Sequence, residues 1–351
     1  PVIFLPPPHI LEVYKSEGGN DLRDADSLLY LFPAHMRAAF GCAVKQYDRL
    51  EEIRLRADKP VIARLHEGER FLDGYGGFTD TETGCYRMDR EALLAILNQI
   101  CHDSLYAYED ELKQGFLTVP GGHRVGVAGQ VVLEEDGRIR TMKHISGMNI
   151  RIAHEVKGAA DGVLPFLYEG GRFCNTLIIS PPGCGKTTLL RDLIRQVSDG
   201  SRWGRGRTVG VVDERSEIAG SYLGTPQNDV GIRTDVLDAC PKVFGMLMLI
   251  RAMAPELVAI DEVGGREDVE AIRRVSACGC GILATIHGSS VEELWTKEDV
   301  AQLLEEGMFS RYIELEKKDA CPRVRGLFRS AKGRTPERIG QGGAGENKAL
   351  G

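Results

Sequence analysis

The run Ser180-Pro181-Pro182-Gly183-Cys184-Gly185-Lys186-Thr187-Thr188 stands between a short apolar stretch and an amphipathic one, and it constrains the fold more than any other part of the chain. Thr176-Leu177-Ile178-Ile179 reads as a buried strand. After Lys186 the apolar residues Leu189, Leu190, Leu193, Ile194 and Val197 recur at helical spacing until Gly200 stops them. A strand, a glycine-bearing loop and a helix in that order form a phosphate cradle. Gly183 and Gly185 let the backbone approach a polyphosphate, the helix N-terminus presents amides to the anion, and Lys186 and Thr187 address terminal phosphates and Mg²⁺. The expected ligand is therefore ATP with Mg²⁺. Ser180 stands where the usual G-x-x-x-x-G-K-[ST] pattern has its first glycine.

Two further apolar runs end in acids. Leu257-Val258-Ala259-Ile260 is followed by Asp261 and Glu262, and Val209-Gly210-Val211-Val212 by Asp213, Glu214 and Arg215. Strand ends in a parallel sheet share one crevice, so Asp261 is expected to support the Mg²⁺ shell beside Thr187. Either Glu214 or Glu262 can orient the attacking water by accepting its hydrogen bond, and the pattern does not choose between them. Arg215 also reads as a surface ion-pair partner of Glu217. A third run, Ile282-Leu283-Ala284-Thr285-Ile286, ends in His287, a candidate sensor of the terminal phosphate.

With 351 residues the chain exceeds one typical domain, and the loop lies in its second half. Short strands around Ile53 and Pro60 to Ala63, a helix over 91–101, a helix from Ser104 through Gln114, and strands over 116–139 with turns at Pro120-Gly121-Gly122 and Asp136-Gly137 make an α+β domain over 1–153. A helix is also expected from Asp26 to Ala43, and helix and turn from Val156 to Gly171. Runs at 176–180, 208–212, 257–261, 281–286 and 311–315 alternate with helical segments over 154–330, which predicts a RecA-like P-loop domain with a largely parallel sheet. Residues 331–351, rich in glycine, are expected to be a disordered tail.

The formal charge of −7 argues against a dedicated nucleic-acid binder. Nine cysteines without a spaced Cys-x-x-Cys pair read as thiols in a reducing compartment, not as a zinc site. No stretch is long and apolar enough to span a bilayer; the best candidate, Val243 to Ile250, is bracketed by Lys242 and Arg251 and reads as a core helix. The expected location is cytoplasmic, with peripheral contact at a membrane left open.

Together the loop, Val212-Asp213-Glu214, the run from Arg251-Ala252-Met253-Ala254-Pro255 to Asp261-Glu262, and Ala284-Thr285-Ile286-His287 resemble the secretion and pilus-retraction ATPases: phosphate loop, aspartate box, acidic strand and histidine box follow in that family's order. Asp261-Glu262-Val263-Gly264-Gly265-Arg266 departs from its usual Gly-Glu-x-Arg. Ser104-Leu105-Tyr106-Ala107-Tyr108, Val119 to Gly126 and His144 to Arg151 look, more narrowly, like the stage III sporulation protein AA family, over almost the whole chain. The resemblance implies a hexameric ATPase ring acting from the mother-cell cytoplasm on membrane-bound channel proteins. It also implies that N-terminal arginines complete the nucleotide site. Arg124, Arg140 and Arg151 are the local candidates, and each reads equally as a solvated strand residue. The alternatives are a P-loop nucleic-acid translocase, a small-molecule phosphotransferase and a nucleotide-binding assembly scaffold.

Overall fold

The computed structural model describes residues 28–102, 104, 108–318, 321–330 and 336–340. The chain divides into two compact units, Pro1–Ala153 and His154–Gly351.

The first unit is built on an antiparallel sheet of seven strands: β1 (Leu50–Arg56), β2 (Ile62–Leu65), β3 (Gly68–Leu72), β4 (Phe78–Thr79), β5 (Phe116–Val119), β6 (His123–Leu133) and β7 (Ile139–Arg151), in the order β4-β3-β2-β1-β7-β6-β5. Alternation along β1 sends Ile53 and Leu55 into the core, where Leu93, Ile96, Leu97 and Ile100 of helix α2 (Arg90–Ile100) also lie. Asp89 starts that helix by accepting the Ala92 amide at 2.7 Å. The helix expected from Asp26 to Ala43 is broken: Leu28 and Leu29 are helical, Pro33 and a 3-10 turn at Ala34–Met36 interrupt it, and helix α1 (Arg37–Val44) follows, while Asp26 lies outside the described residues. Helix α3 covers Glu109–Gln114, and the start expected at Ser104 adjoins residues 105–107, which lie outside the described set.

The second unit carries β8 (Thr176–Ser180), β9 (Val209–Asp213), β10 (Thr234–Asp238), β11 (Leu257–Ile260), β12 (Gly281–His287), β13 (Arg311–Lys318), β14 (Cys321–Arg329) and β15 (Glu337–Gly340), in the order β10-β9-β11-β12-β8-β13-β14-β15. The sheet is mixed and corrects the expectation of a largely parallel one. Strands β10 through β13 in that order pair in parallel, but β14 returns antiparallel on β13 and β15 on β14. Only two residues separate β13 from β14, far too few for a crossover, so the chain must turn back on itself. The expected tail accordingly contains a strand, β15, while 331–335 and 341–351 lie outside the described residues. The stretch 156–171 has a 3-10 turn at Leu164–Leu167 and a short strand at Tyr168–Glu169 in place of a full helix.

The central strands are buried on both faces, as expected of parallel strands covered by helices on each side. Ile178, Val211, Ala259 and Leu283 join Leu189, Leu190, Leu193, Ile194 and Val197 of α4 (Lys186–Asp199) in one core. Leu177, Ile179, Val258, Ile260, Ile282 and Ala284 face the other, with Met246 and Leu249 of α5 (Lys242–Ala252) and Val269, Ile272 and Val275 of α6 (Arg266–Ala277). Two short helices, α7 (Val291–Leu294) and α8 (Glu298–Glu305), follow β12. This double packing fixes the ends of β8, β9, β11 and β12, and all the candidate groups of this unit sit at or just beyond those ends.

Candidate active site

The phosphate loop leaves β8 at the fully buried Ser180 and enters α4 at Gly185. Gly183 and Gly185 adopt φ of +67° and +75°, left-handed conformations that an L side chain rarely takes, which is why glycine is required at both. Pro182 and Gly183 form the exposed arc of the loop, Pro181 is half-buried, and Cys184 is tucked underneath with its Sγ 3.6 Å from the Pro182 carbonyl. The loop ends on the first turn of α4, whose amides have no intrahelical acceptor and attract anions. Lys186, Thr187 and Thr188 occupy that turn, each half-buried.

Asp261 follows the last residue of β11 and meets this turn. Thr187 Oγ1 donates to Asp261 Oδ2 at 3.1 Å, and Lys186 Nζ lies 3.6 Å from Asp261 Oδ1. From the neighbouring strand, the buried Thr285 hydroxyl donates to Asp261 Oδ1 and accepts the Glu262 amide at 2.8 Å. The next amide, Val263, donates to the Thr285 carbonyl at 2.7 Å. Glu262 takes φ of +54°, unusual for a residue with a side chain and held here by bonds on both sides of it.

The two acidic strand ends share one pocket, lined among others by Asp213, Glu214, Lys242, Asp261 and Glu262. Asp213 faces inward, almost fully buried, and accepts the amides of Glu217, Ile218 and Ala219 at 2.8, 3.0 and 2.8 Å. Burial pushes its carboxyl above the usual carboxylate range, with the three amides opposing and the Asp238 charge adding to the rise. Asp213 thus shapes the turn after β9. Glu214 and Glu262 instead expose their carboxylates, Glu214 Oε2 3.4 Å from Lys242 Nζ and Glu262 Oε2 3.3 Å from Arg215 Nη1. Arg215 therefore reaches the second acidic end.

His287 is exposed at the end of β12, in register with Ser180 on β8. It lines a separate cavity of about 390 Å³ together with Glu262, Ile286 and Lys297, so Glu262 borders both spaces. In the N-terminal unit, Arg124 and Arg151 are cross-strand partners on β6 and β7, and the Arg124 guanidinium lies 4.6 Å from the Phe116 ring centroid. Arg140 lies towards the opposite end of the same hairpin, 3.8 Å from Glu134 and largely exposed, so the three arginines do not form one cluster. Two residues of the site escaped the sequence reading as functional groups. Thr285 has a visible signal, a hydroxyl inside an otherwise apolar strand; Lys242 read only as the polar edge of an apolar helix.

The family model described as "Sporulation stage III, protein AA" matches residues 23–335. The chain belongs to that family. A member from Bacillus subtilis (strain 168), stage III sporulation protein AA, is 41% identical over 273 residues, covering 78% of this chain and 84% of its own. Among solved structures, the ATPase DotB of Legionella pneumophila aligns over 86% of this chain and 82% of its own with a TM-score of 0.53 at 16% identity. The pilus retraction motor PilT with bound ADP aligns over 84% and 80% with a TM-score of 0.50 at 14% identity. At such identities the likeness establishes a P-loop ATPase fold for this sporulation family member. No helix among the described residues is long and apolar enough to cross a membrane.

Proposed function

We propose that this chain binds Mg²⁺-ATP at the loop 180–188 and hydrolyses it, as a secretion-type motor of the sporulation family. The observation that carries the reading is the convergence of Thr187 Oγ1 and Lys186 Nζ on the Asp261 carboxylate, at 3.1 and 3.6 Å, at the N-terminus of α4. A compact ammonium, a hydroxyl and a carboxylate at the positive end of a helix are the groups that a nucleotide polyphosphate and a hard divalent cation require together. Thr187 Oγ1 and Asp261 offer two oxygen ligands, directly or through water, which fits Mg²⁺ because that ion keeps most of its shell for water and phosphate oxygens. When bound, Mg²⁺ neutralises phosphate charge and orients the terminal group.

Lys186 draws the β and γ phosphates into the loop, and the backbone from Pro181 to Thr188 surrounds them. Glu214 or Glu262 accepts a proton from the attacking water on an exposed carboxylate oxygen, and His287, bordering the cavity next to Glu262, reports the terminal phosphate. Hydrolysis then drives movement of the subunits of a ring, six by analogy with the family, against membrane-bound channel proteins on the mother-cell side of the developing spore. Arg124, Arg140 or Arg151 contributes charge to the nucleotide there. The acidic balance of the chain supports a protein partner over nucleic acid.

The test is equilibrium binding of fluorescent ATP with and without Mg²⁺. Wild type is expected to bind more tightly with the ion, Thr187→Val to lose that Mg²⁺ gain, and Lys186→Ala to lose affinity with or without it. Equal binding by all three proteins would overturn the site.

A further inference from the structure

Lys242 is the first residue of α5, following Pro241 at the cap, and its side chain is only 13% exposed. A lysine there is placed against the field, since the helix N-terminus is already positive and burial of an ammonium is costly without partners. Its partners are all oxygens, of the two acidic strand ends and of the first turn of α6. Nζ donates to the Glu262 carbonyl at 2.6 Å and lies 3.4 Å from Glu214 Oε2 and 3.2 Å from Asp268 Oδ2. Asp268 in turn accepts the Gly264 amide at 2.8 Å. One ammonium thus ties the end of β9 to the end of β11, and grips Glu262 by its main chain on the side opposite the Thr285 hydroxyl.

Glu262 is held in the left-handed region, where a side-chain-bearing residue stays only if its surroundings over-determine it. Thr285 fixes its amide and Lys242 its carbonyl. Without the Lys242 bond the peptide joining Glu262 to Val263 is held only through the Val263 amide on the Thr285 carbonyl, so the turn is looser, and both exposed carboxylates, one borne by that turn and one paired with the ammonium, lose a reference.

We infer that Lys242 is a positioning residue for the hydrolytic step: it locks the Glu262 turn and the Glu214 carboxylate in the arrangement that orients water, without touching nucleotide. This rests on the hydrolytic reading of the site. Two consequences distinguish it from a role in stability alone. Lys242→Met leaves ATP affinity within about twofold but lowers kcat on the order of 100-fold, the scale of a misplaced catalytic group. It also releases the Glu262 to Gly264 turn in the nucleotide-free protein, so amide exchange there rises while exchange in β8 and β12 stays as in wild type.

The experiment measures kcat, KM, ATP affinity and amide hydrogen exchange for wild type, Lys242→Met, Lys242→Arg and Lys186→Ala. Lys242→Arg keeps the charge in a different shape and is expected to recover part of kcat and of the exchange protection. Wild-type kcat and wild-type exchange at Glu262 to Gly264 in Lys242→Met would overturn the inference while an inactive Lys186→Ala left the hydrolytic site standing. Wild-type turnover in Lys186→Ala would overturn the site itself. If Lys242→Met does not fold, an Arg variant that folds with wild-type kcat and unprotected Glu262 to Gly264 amides would refute the coupling, and one with reduced kcat and faster exchange there supports it.

Discussion

Thr285→Val removes a hydroxyl and substitutes a methyl of nearly equal size, so it probes hydrogen bonding with little change in packing volume. The hydroxyl is fully buried, accepts the Glu262 amide and donates to Asp261 Oδ1. Losing it strands an amide and takes a donor from a carboxylate; each costs about 1–2 kcal/mol. The added methyl lies in an apolar strand and offsets up to ~0.8 kcal/mol. The net expectation is a loss of about 2 kcal/mol, which for a unit of this size lowers the melting temperature by about 4–8 °C. Differential scanning calorimetry reads the shift, and the relevant transition is the one that Mg²⁺-ATP raises. Thr285→Ser, which keeps the hydroxyl, serves as the control: it should hold wild-type kcat despite losing a methyl, whereas Thr285→Val should lose turnover through the loosened Glu262 turn. A Thr285→Val protein with unchanged melting temperature and unchanged kcat would refute the role given to this hydroxyl.

Glu214→Gln and Glu262→Gln should each retain ATP affinity while at least one loses about 100-fold in phosphate release, the scale of a general base; normal turnover in both would remove the carboxylates from the mechanism. Burial raises the Asp213 carboxyl, so its contribution to stability is complete below the unfolded value near pH 4 and is lost as pH rises through the native value. Urea denaturation from pH 3 to 7 should therefore show wild type losing stability relative to Asp213→Asn over that rise, and a constant difference would contradict the raised carboxyl. If the N-terminal arginines complete a neighbouring subunit's site, specific activity should climb with protein concentration, and Arg151→Ala or Arg140→Ala should lower kcat without weakening nucleotide binding. Concentration-independent activity from a demonstrated monomer would exclude that arrangement.

The strand, loop and helix around Lys186 were legible because one periodicity changes to another there: the buried run 176–180 has no polar face, and α4 places its apolar residues on a single stripe. The acidic ends of β9 and β11 were legible for the same reason. Strand β10 was not, since Thr234-Asp235-Val236-Leu237-Asp238 lies at the sheet edge with every residue only half-buried and has no apolar run to mark it. Strand β14 escaped because Arg323, Arg325 and Gly326 break up its apolar pattern, and β15 because it lies in the glycine-rich stretch read as tail; pairing of β14 on β13 and of β15 on β14 supplies the order that composition lacks. Thr285 and Lys242 were hidden differently. Their partners come from other strands and loops, and only the folded sheet brings Asp261, Glu262, Glu214 and Asp268 to them.

The central claim is that the loop at 180–188 carries nucleotide hydrolysis, and steady-state phosphate release from Mg²⁺-ATP by wild type and Lys186→Ala, at matched concentration and with matched circular dichroism, tests it most directly. The account predicts measurable release by wild type and a loss of at least about 100-fold in the variant, because no other cation occupies the first turn of α4. Equal release by the two folded proteins would contradict it.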